Sequence, residues 1–203
     1  MSPRPPLGVP DLSIESGDHI CALYRGVAER DEILLPYVRA GLESGDKCLA
    51  VVDATEPEHL LDGLRQGIDV DGCLAGEQLD VMSSGDAYLR TGSFASEEML
   101  GFWDDYVGAA LHGGRFSFIR IAGEAAWALR DQHTTDELIR YESDLNRFTG
   151  RYPQALLCLY DLSRFDGGIL VDLLRTHPKL LLGGLVLDSP HYLPPDGLAD
   201  PQG

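Results

Sequence analysis

Two periods of apolar residues alternate along this chain, one suited to strands and one to helices. His19-Ile20-Cys21-Ala22-Leu23-Tyr24 is a short apolar run, and Lys47 to Val52 is a second, rich in Val and Leu. Runs of that length predict strands. Between them Ile33, Leu34, Tyr37, Val38 and Leu42 recur at the spacing that gathers side chains on one side of a helix. Gly45 is placed to stop that helix, because a left-handed C-terminal position costs glycine little. The stretch from Gly17 to Asp53 therefore reads as strand, helix, strand. Two strands joined by a helix predict a parallel unit with a right-handed crossover. In open sheets of this kind ligands bind beyond the carboxyl ends of the strands, here near Tyr24-Arg25-Gly26 and Asp53.

The pattern continues through the chain. Residues 1–16 hold four prolines and read as a flexible or extended lead-in. Thr55 is the expected N-cap of a short helix from His59 to Gln66, with Pro57 in its first turn. Gly67 to Glu77 lacks periodicity and is expected to be irregular, and Gln78 to Met82 predicts a third strand. Ser83 to Phe94 reads as a polar loop whose Tyr88, Leu89 and Phe94 could fold down over a pocket. From Ser96 a helix carries Met99, Phe102, Trp103, Tyr106, Val107 and Ala110 on its apolar side, ending at His112-Gly113-Gly114. Arg115 to Ala122 alternates as a strand, with Gly123-Glu124-Ala125-Ala126-Trp127 at its carboxyl end. Thr135 to Phe148 predicts another amphipathic helix. Pro153 to Asp161 is apolar almost throughout, as a central strand buried on both faces must be. Gly167 to Thr176 predicts a helix stopped by His177-Pro178, and Lys179 to Leu187 a last strand. This alternation predicts one α/β layered domain over residues 17–193, followed by a tail at 194–203.

Composition narrows the function classes. A chain of 203 residues suits one such domain, but its net charge of −17 is unusual. That charge repels phosphate backbones and anionic membranes, so direct nucleic-acid binding and membrane association are not expected. A solvated acidic surface is the plainer reading, and a basic protein partner the sharper one. The four cysteines, Cys21, Cys48, Cys73 and Cys158, form no CxxC pair, which favours a reducing cytoplasm over a disulfide framework. MSPRPPLGVP is not a basic-then-apolar leader, and no apolar run approaches membrane-spanning length. A cytoplasmic location is expected.

Two family resemblances follow from particular residues. The order strand, helix, Gly45-Asp46-Lys47-Cys48-Leu49-Ala50-Val51-Val52-Asp53 and then Thr55-x-Glu-Pro57 resembles the core of RecA/KaiC-type ATPases. Those proteins follow the first strand with G-x-x-x-x-G-K-[ST], which cradles phosphates. Here Tyr24-Arg25-Gly26-Val27-Ala28-Glu29-Arg30-Asp31 stands at that place, with no Gly-Lys-Ser/Thr and with acidic Glu29 and Asp31. The resemblance thus implies a three-layer α/β sandwich with a mostly parallel sheet and no functional phosphate loop, and ATP hydrolysis is not expected.

More closely, residues from about Gly17 to Tyr192 resemble the MEDS family, a sensory domain of methanogen and methylotroph regulators. The match is carried by Gly17-Asp18-His19-Ile20-Cys21-x-x-Tyr24 and by Ala40-Gly41-Leu42-x-x-Gly45-Asp46-x-Cys48. It continues through Gly123-Glu124-x-x-Trp127-Ala128-Leu129, Tyr141-Glu142-x-x-Leu145-Asn146, Leu157-Cys158-Leu159-Tyr160-Asp161 and His177-Pro178. The resemblance implies sensing of small molecules, such as simple hydrocarbon derivatives, for a transcriptional or signalling output. With only short tails beside the domain, that output is expected to pass through a separate regulatory protein. A homodimer is compatible with such a scheme.

Candidate site residues each have a plainer role. His19 and Cys21, two apart on a strand, project from one face. They would start a soft metal or haem site, with Cys48 or Cys158 as a further ligand, yet the usual zinc spacings are absent. A core histidine beside a packed thiol is the common alternative, and a single hydrogen bond in an apolar ligand cavity lies between the two. Glu124 would bind a polar group of a ligand, or pair with Arg25 or Arg120, or serve a helix N-terminus. Trp127 and Tyr24 would line a pocket or simply fill the core. His177 would end its helix, or act as a ligand or proton-sensing group. No G-x-S-x-G elbow or H-E-x-x-H helix supports an enzyme.

The reading is therefore a sensory module binding a small, largely apolar molecule at the strand ends. Its expected pocket is Tyr24, Arg25, Glu124 and Trp127, with His19 and Cys21 beneath and His177 as a further candidate. A metal or haem sensor built on His19 and Cys21, and a ligand-free interaction scaffold, are the alternatives.

Overall fold

The apolar runs assemble into one seven-stranded sheet in order β3-β2-β4-β5-β1-β6-β7. The strands are β1 Asp18–Tyr24, β2 Lys47–Val52, β3 Leu79–Ser83, β4 Ile119–Glu124, β5 Gln154–Asp161, β6 Lys179–Leu182 and β7 Leu185–Asp188. The computed structural model describes residues 13–195 apart from 53–56, 90–92 and 131. Most of the proline-rich lead-in, most of the tail, Asp53 and the expected N-cap Thr55 lie outside the described residues. All neighbouring strands pair in parallel except β6 and β7. The most apolar run, β5, sits in the middle of the order, as its composition requires.

Among the described residues seven helices connect and cover the sheet: α1 Gly26–Ser44, α2 Pro57–Arg65, α3 Val70–Ala75, α4 Ser84–Ala87, α5 Ser96–Leu111, α6 Gln132–Thr149 and α7 Gly167–Thr176. A 3-10 turn spans Ala126–Arg130. Strand alternation divides the core in two. Ile20, Ala22 and Tyr24 of β1 and Leu157 and Leu159 of β5 pack with α1 and α2 on one face. Cys21 of β1 and Leu156, Cys158 and Tyr160 of β5 pack with α5, α6 and α7 on the other. The result is helix, sheet and helix in three layers.

Local chemistry explains both the agreements and the differences. Gly45 adopts φ 81° and ends α1, donating its N–H to the carbonyls of Gly41 and Leu42. The strands β1 and β2 are parallel but not adjacent, since β4 and β5 lie between them. Residues 67–77 are not irregular throughout: Asp69 caps the short α3 by accepting the Gly72 N–H at 3.1 Å. Six residues are too few to display a helical period. The expected single last strand is instead a hairpin, because Gly183 and Gly184 take φ 57° and 78° and turn the chain between β6 and β7. Consecutive positive φ values are what a tight hairpin turn demands.

Candidate functional site

Four chemistry-bearing side chains meet on the α6 face of the sheet centre. His19 comes from β1, Cys158 from β5, Glu142 from the inward stripe of α6, and His177 from the end of α7. One donor atom from each lies within 4.8 Å of all the others. Nε2 of His19 is 3.1 Å from Oε2 of Glu142, and Nε2 of His177 is 3.3 Å from the same oxygen. The Cys158 sulfur is 3.3 Å from His19 Nε2 and 3.5 Å from Glu142 Oε2. Both histidines are fully buried, Glu142 is 2% exposed and Cys158 9%. The imidazole rings lie 4.1 Å apart between centroids.

Outer hydrogen bonds orient both imidazoles. The Asn146 amide nitrogen donates to the carbonyls of Glu142, Ser143 and Thr176, so its oxygen is turned toward His19 Nδ1 at 3.1 Å. His19 Nδ1 must therefore carry the proton and donate. His177 Nδ1 lies 2.8 Å from the Leu173 carbonyl and is likewise the donor. Both Nε2 atoms are left aimed at Glu142. Burial, followed by the charge of His177, lowers the pKa of His19. Burial pushes the Glu142 carboxyl up, but the His177 and His19 imidazoles, in their protonated forms, outweigh it and hold it well below the usual carboxylate range. Burial, then the neighbouring carboxylate, pushes the Cys158 thiol well up.

Against this cluster lies a small aromatic cavity of about 10 Å³, room for roughly one water. Tyr88, Trp103, Trp127 and Tyr141 wall it, together with Glu142 and Cys158. Tyr88 stacks on Trp127 with centroids 4.6 Å apart and planes 17° from parallel. Phe94 lies 4.5 Å from the same indole. The segment from Ser83 to Phe94 thus turns two aromatic rings inward, and it contains the short helix α4. The buried indole N–H of Trp127 has no hydrogen-bond partner among the described residues.

The other expected pocket residues go to separate places. Tyr24 and Glu124 point to the α1 face, where the Tyr24 hydroxyl donates to Glu124 Oε1 at 3.0 Å. The cation beside Glu124 is Arg30 of α1, at 3.3 Å, rather than Arg25 or Arg120. Arg120 instead pairs with Asp46 at 2.8 Å. The correction follows from alternation: Arg120 shares the Glu124 face of β4 but sits four residues back, beside the start of β2. Arg25 is exposed and lies in a surface groove with Glu29, Glu32 and Leu182. Cys21 shares a face with His19 but stays outside the four-residue group, its place taken by Cys158. Trp127 and His177 therefore lie on the His19 side, and Tyr24, Arg25 and Glu124 do not join them.

At the α1 N-terminus the first two N–H groups go to carboxylates of the chain itself, Glu29 and Asp161. Only Arg25 separates the end of β1 from the start of α1, and its N–H donates to the Glu29 carboxylate at 2.7 Å. A carboxylate of the chain occupies the place where anion-binding N–H groups would be required.

The family model described as the methanogen/methylotroph, DcmR sensory domain (MEDS) matches residues 18–178. The chain belongs to the MEDS family. A curated relative, the transcriptional repressor DcmR of Methylorubrum extorquens, is 32% identical over 173 residues, covering 83% of this chain. The chain spans 61% of that relative's length. Among solved structures, the KaiC-like protein PH0186 of Pyrococcus horikoshii aligns with TM-score 0.60 and 12% identity, over 88% of this chain and 79% of that one. The flagellar accessory protein FlaH of Methanocaldococcus jannaschii aligns with TM-score 0.55 and 10% identity, over 86% and 76%. These two establish a KaiC-like fold for the MEDS domain. No helix among the described residues is long and apolar enough to cross a membrane.

Residue-level reading of the MEDS chain passed over Glu142 and Asn146 as partners of His19, and offered Cys158 only beside Cys48 as a further ligand. A signal was present: Glu142 falls on the buried stripe of α6 with Leu138, Tyr141 and Leu145. A carboxylate among apolar stripe positions is rare unless it is paired.

Proposed function

We infer that this MEDS domain senses a small, largely apolar molecule carrying one acceptor group, bound in the aromatic cavity beneath Tyr88. The observation that carries this reading is the unpartnered Trp127 N–H in the wall of a small aromatic cavity. Aromatic walls with few polar groups suit small apolar ligands. The cavity holds about one water, so the ligand enters by displacing Tyr88 from its stack on Trp127. Tyr88 and Phe94 then act as the lid. Binding shifts the balance between closed and open lid by its differential affinity for the two. A separate regulatory protein reads that shift, in keeping with DcmR being a transcriptional repressor. Neither nucleotide hydrolysis nor another enzymatic step enters this scheme, since the phosphate loop is replaced and the α1 N-terminus carries its own carboxylate.

The test is optical. The chain has two tryptophans, and both Trp103 and Trp127 wall the cavity, so intrinsic emission reports on it directly. Titration with a panel of one- to four-carbon hydrocarbon derivatives is expected to give a saturable emission change for at least one class. Trp127→Phe, which deletes the unpartnered donor, weakens that binding. No saturable response across the panel overturns the ligand-sensing reading.

The small size of the cavity favours a second reading, a ligand-free interaction module. Its contact surface would include the edge hairpin, where Leu182, Leu185 and Leu187 are 49%, 62% and 50% exposed. Partner capture that is lost on Leu185→Asp and indifferent to the panel would select this reading.

A further inference from the structure

A buried carboxylate faced by two imidazole nitrogens and a thiol poses a charge problem. The Nδ1–H groups of both histidines are committed outward, to Asn146 and to the Leu173 carbonyl. Each Nε2 of a neutral ring then offers a lone pair, and so does the Glu142 oxygen it faces. Two acceptors at 3.1 Å repel each other unless something positive lies between them. His177 Nε2 has no hydrogen-bond partner among the described residues although it is fully buried. Protonating both rings would set two cations 4.1 Å apart in a dry site.

We propose that His19, Glu142, Cys158 and His177 form a four-coordinate site for a divalent transition-metal cation of the zinc type. A cation at the centre would be held by bonds of about 2.0–2.3 Å, which in a tetrahedron puts donor atoms about 3.3–3.6 Å apart. Four of the six edges of the group, 3.1, 3.3, 3.3 and 3.5 Å, lie close to that range, and all six are within 4.8 Å. Two nitrogens, a thiolate and a carboxylate are a donor set that zinc accepts, and calcium or magnesium, which require oxygen ligands, do not. The outer shell is already in place: a metal-bound histidine donates its other N–H to a carbonyl or amide oxygen, which both rings do. On metal binding the Cys158 sulfhydryl proton is released to solvent and the thiolate bonds to the cation. The four positions come from the start of β1, the interior of β5, the middle of α6 and the end of α7, so the cation would tie these four elements together.

This assignment stands apart from ligand sensing, because the cation can be present whether or not the cavity admits a molecule. Protein purified without a histidine tag and without chelator is expected to contain close to one equivalent of zinc-type metal by elemental analysis. Chelated protein should bind Co²⁺ with a near-ultraviolet thiolate-to-cobalt band. Cys158→Ser is expected to abolish that band, whereas Cys21→Ser keeps it. His177→Gln should weaken metal affinity by more than the roughly 10–100-fold typical of an outer-shell loss, and Asn146→Ala by about that range. Asn146→Ala leaves all four ligands intact and serves where a ligand variant fails to fold. Metal-free protein that takes up neither Zn²⁺ nor Co²⁺ would overturn the proposal in favour of a protonated imidazole–carboxylate cluster. Uptake indifferent to both Cys158→Ser and Asn146→Ala would overturn it equally.

Discussion

Removing the Glu124 carboxylate is expected to cost this fold heavily without touching the His19 cluster. Glu124 and Arg30 are both inaccessible to solvent, and their charged groups approach to 3.3 Å. Tyr24 adds a hydrogen bond at 3.0 Å. Deleting one member of a buried pair leaves the other charged and dry, which costs about 3–5 kcal/mol. Arg30 retains Asp31 as a partner, and Asp31 is itself bonded to His59 at 3.0 Å, so the lower end applies. Glu124→Ala should therefore lose about 3 kcal/mol, which for a domain of this size lowers the midpoint of thermal unfolding by roughly 6–12 °C. Glu124→Gln keeps an acceptor for Tyr24 and should lose about 1.5–3 kcal/mol. The triple change Tyr24→Phe, Arg30→Met, Glu124→Leu removes the buried ion pair and the Tyr24 donor and leaves the part-exposed Asp31 to His59, and much of the loss should return, as buried pairs replaced by apolar groups commonly show. Urea unfolding followed by far-ultraviolet circular dichroism measures each step. A Glu124→Ala protein within about 1 kcal/mol of the parent would refute the burial argument. It would mean that the carboxylate is hydrated and free to serve a ligand after all.

Other outcomes follow from single contacts. A methyl group at Gly123 would collide with the Tyr88 hydroxyl, the far end of a side chain able to swing away. Gly123→Ala should thus expel Tyr88 from its stack on Trp127, altering tryptophan emission while costing about 0.5–1.5 kcal/mol for the lost aromatic pair. Gly41 in α1 is different, since its added methyl would meet Cys48 Sγ at 2.5 Å and the Arg120 stem at 2.7 Å in the packed core. Gly41→Ala should lower stability by about 1–3 kcal/mol in urea unfolding. Asp161 titrates in a third way. Burial pushes its carboxyl up, but hydrogen bonds from Ser163 and the Gly26 N–H prevail and hold it below its ordinary value of 3.8. Its stabilising contribution is therefore complete above that value and lost as pH falls through the lower folded pKa. Asp161→Ala should flatten the acid limb of the pH–stability curve and leave the neutral limb parallel to that of the parent.

The sheet was legible because its central strands are buried on both faces and so carry unbroken apolar runs. Gly45 was legible for a local reason, a left-handed backbone geometry that few residue types satisfy. The hairpin was missed because Lys179 to Leu187 is apolar on either side of Gly183-Gly184, and the apolar run masked the turn signal. The site divided differently. His19, Trp127 and His177 were named from their positions, and Tyr24 and Glu124 were named with them because all lie near strand ends. Strand alternation sends Tyr24 and Glu124 to the opposite face from His19, and only the finished sheet shows which helix waits there. Glu142 and Asn146 act across more than 120 residues of chain separation from His19, beyond the reach of any local pattern.

His177 closes α7, and β6 begins at Lys179 with only Pro178 between them. Proline fixes one of the two backbone torsions in that link, so the joint has little slack. Further along, the Ser189 N–H donates to the Pro178 carbonyl and the Leu193 N–H to Arg175 O, pinning the returning chain to the same point. The imidazole at the protein's centre and the leucine-bearing hairpin at its rim are therefore one short mechanical train. Little chain slack separates that ring from β6 and the edge hairpin it begins.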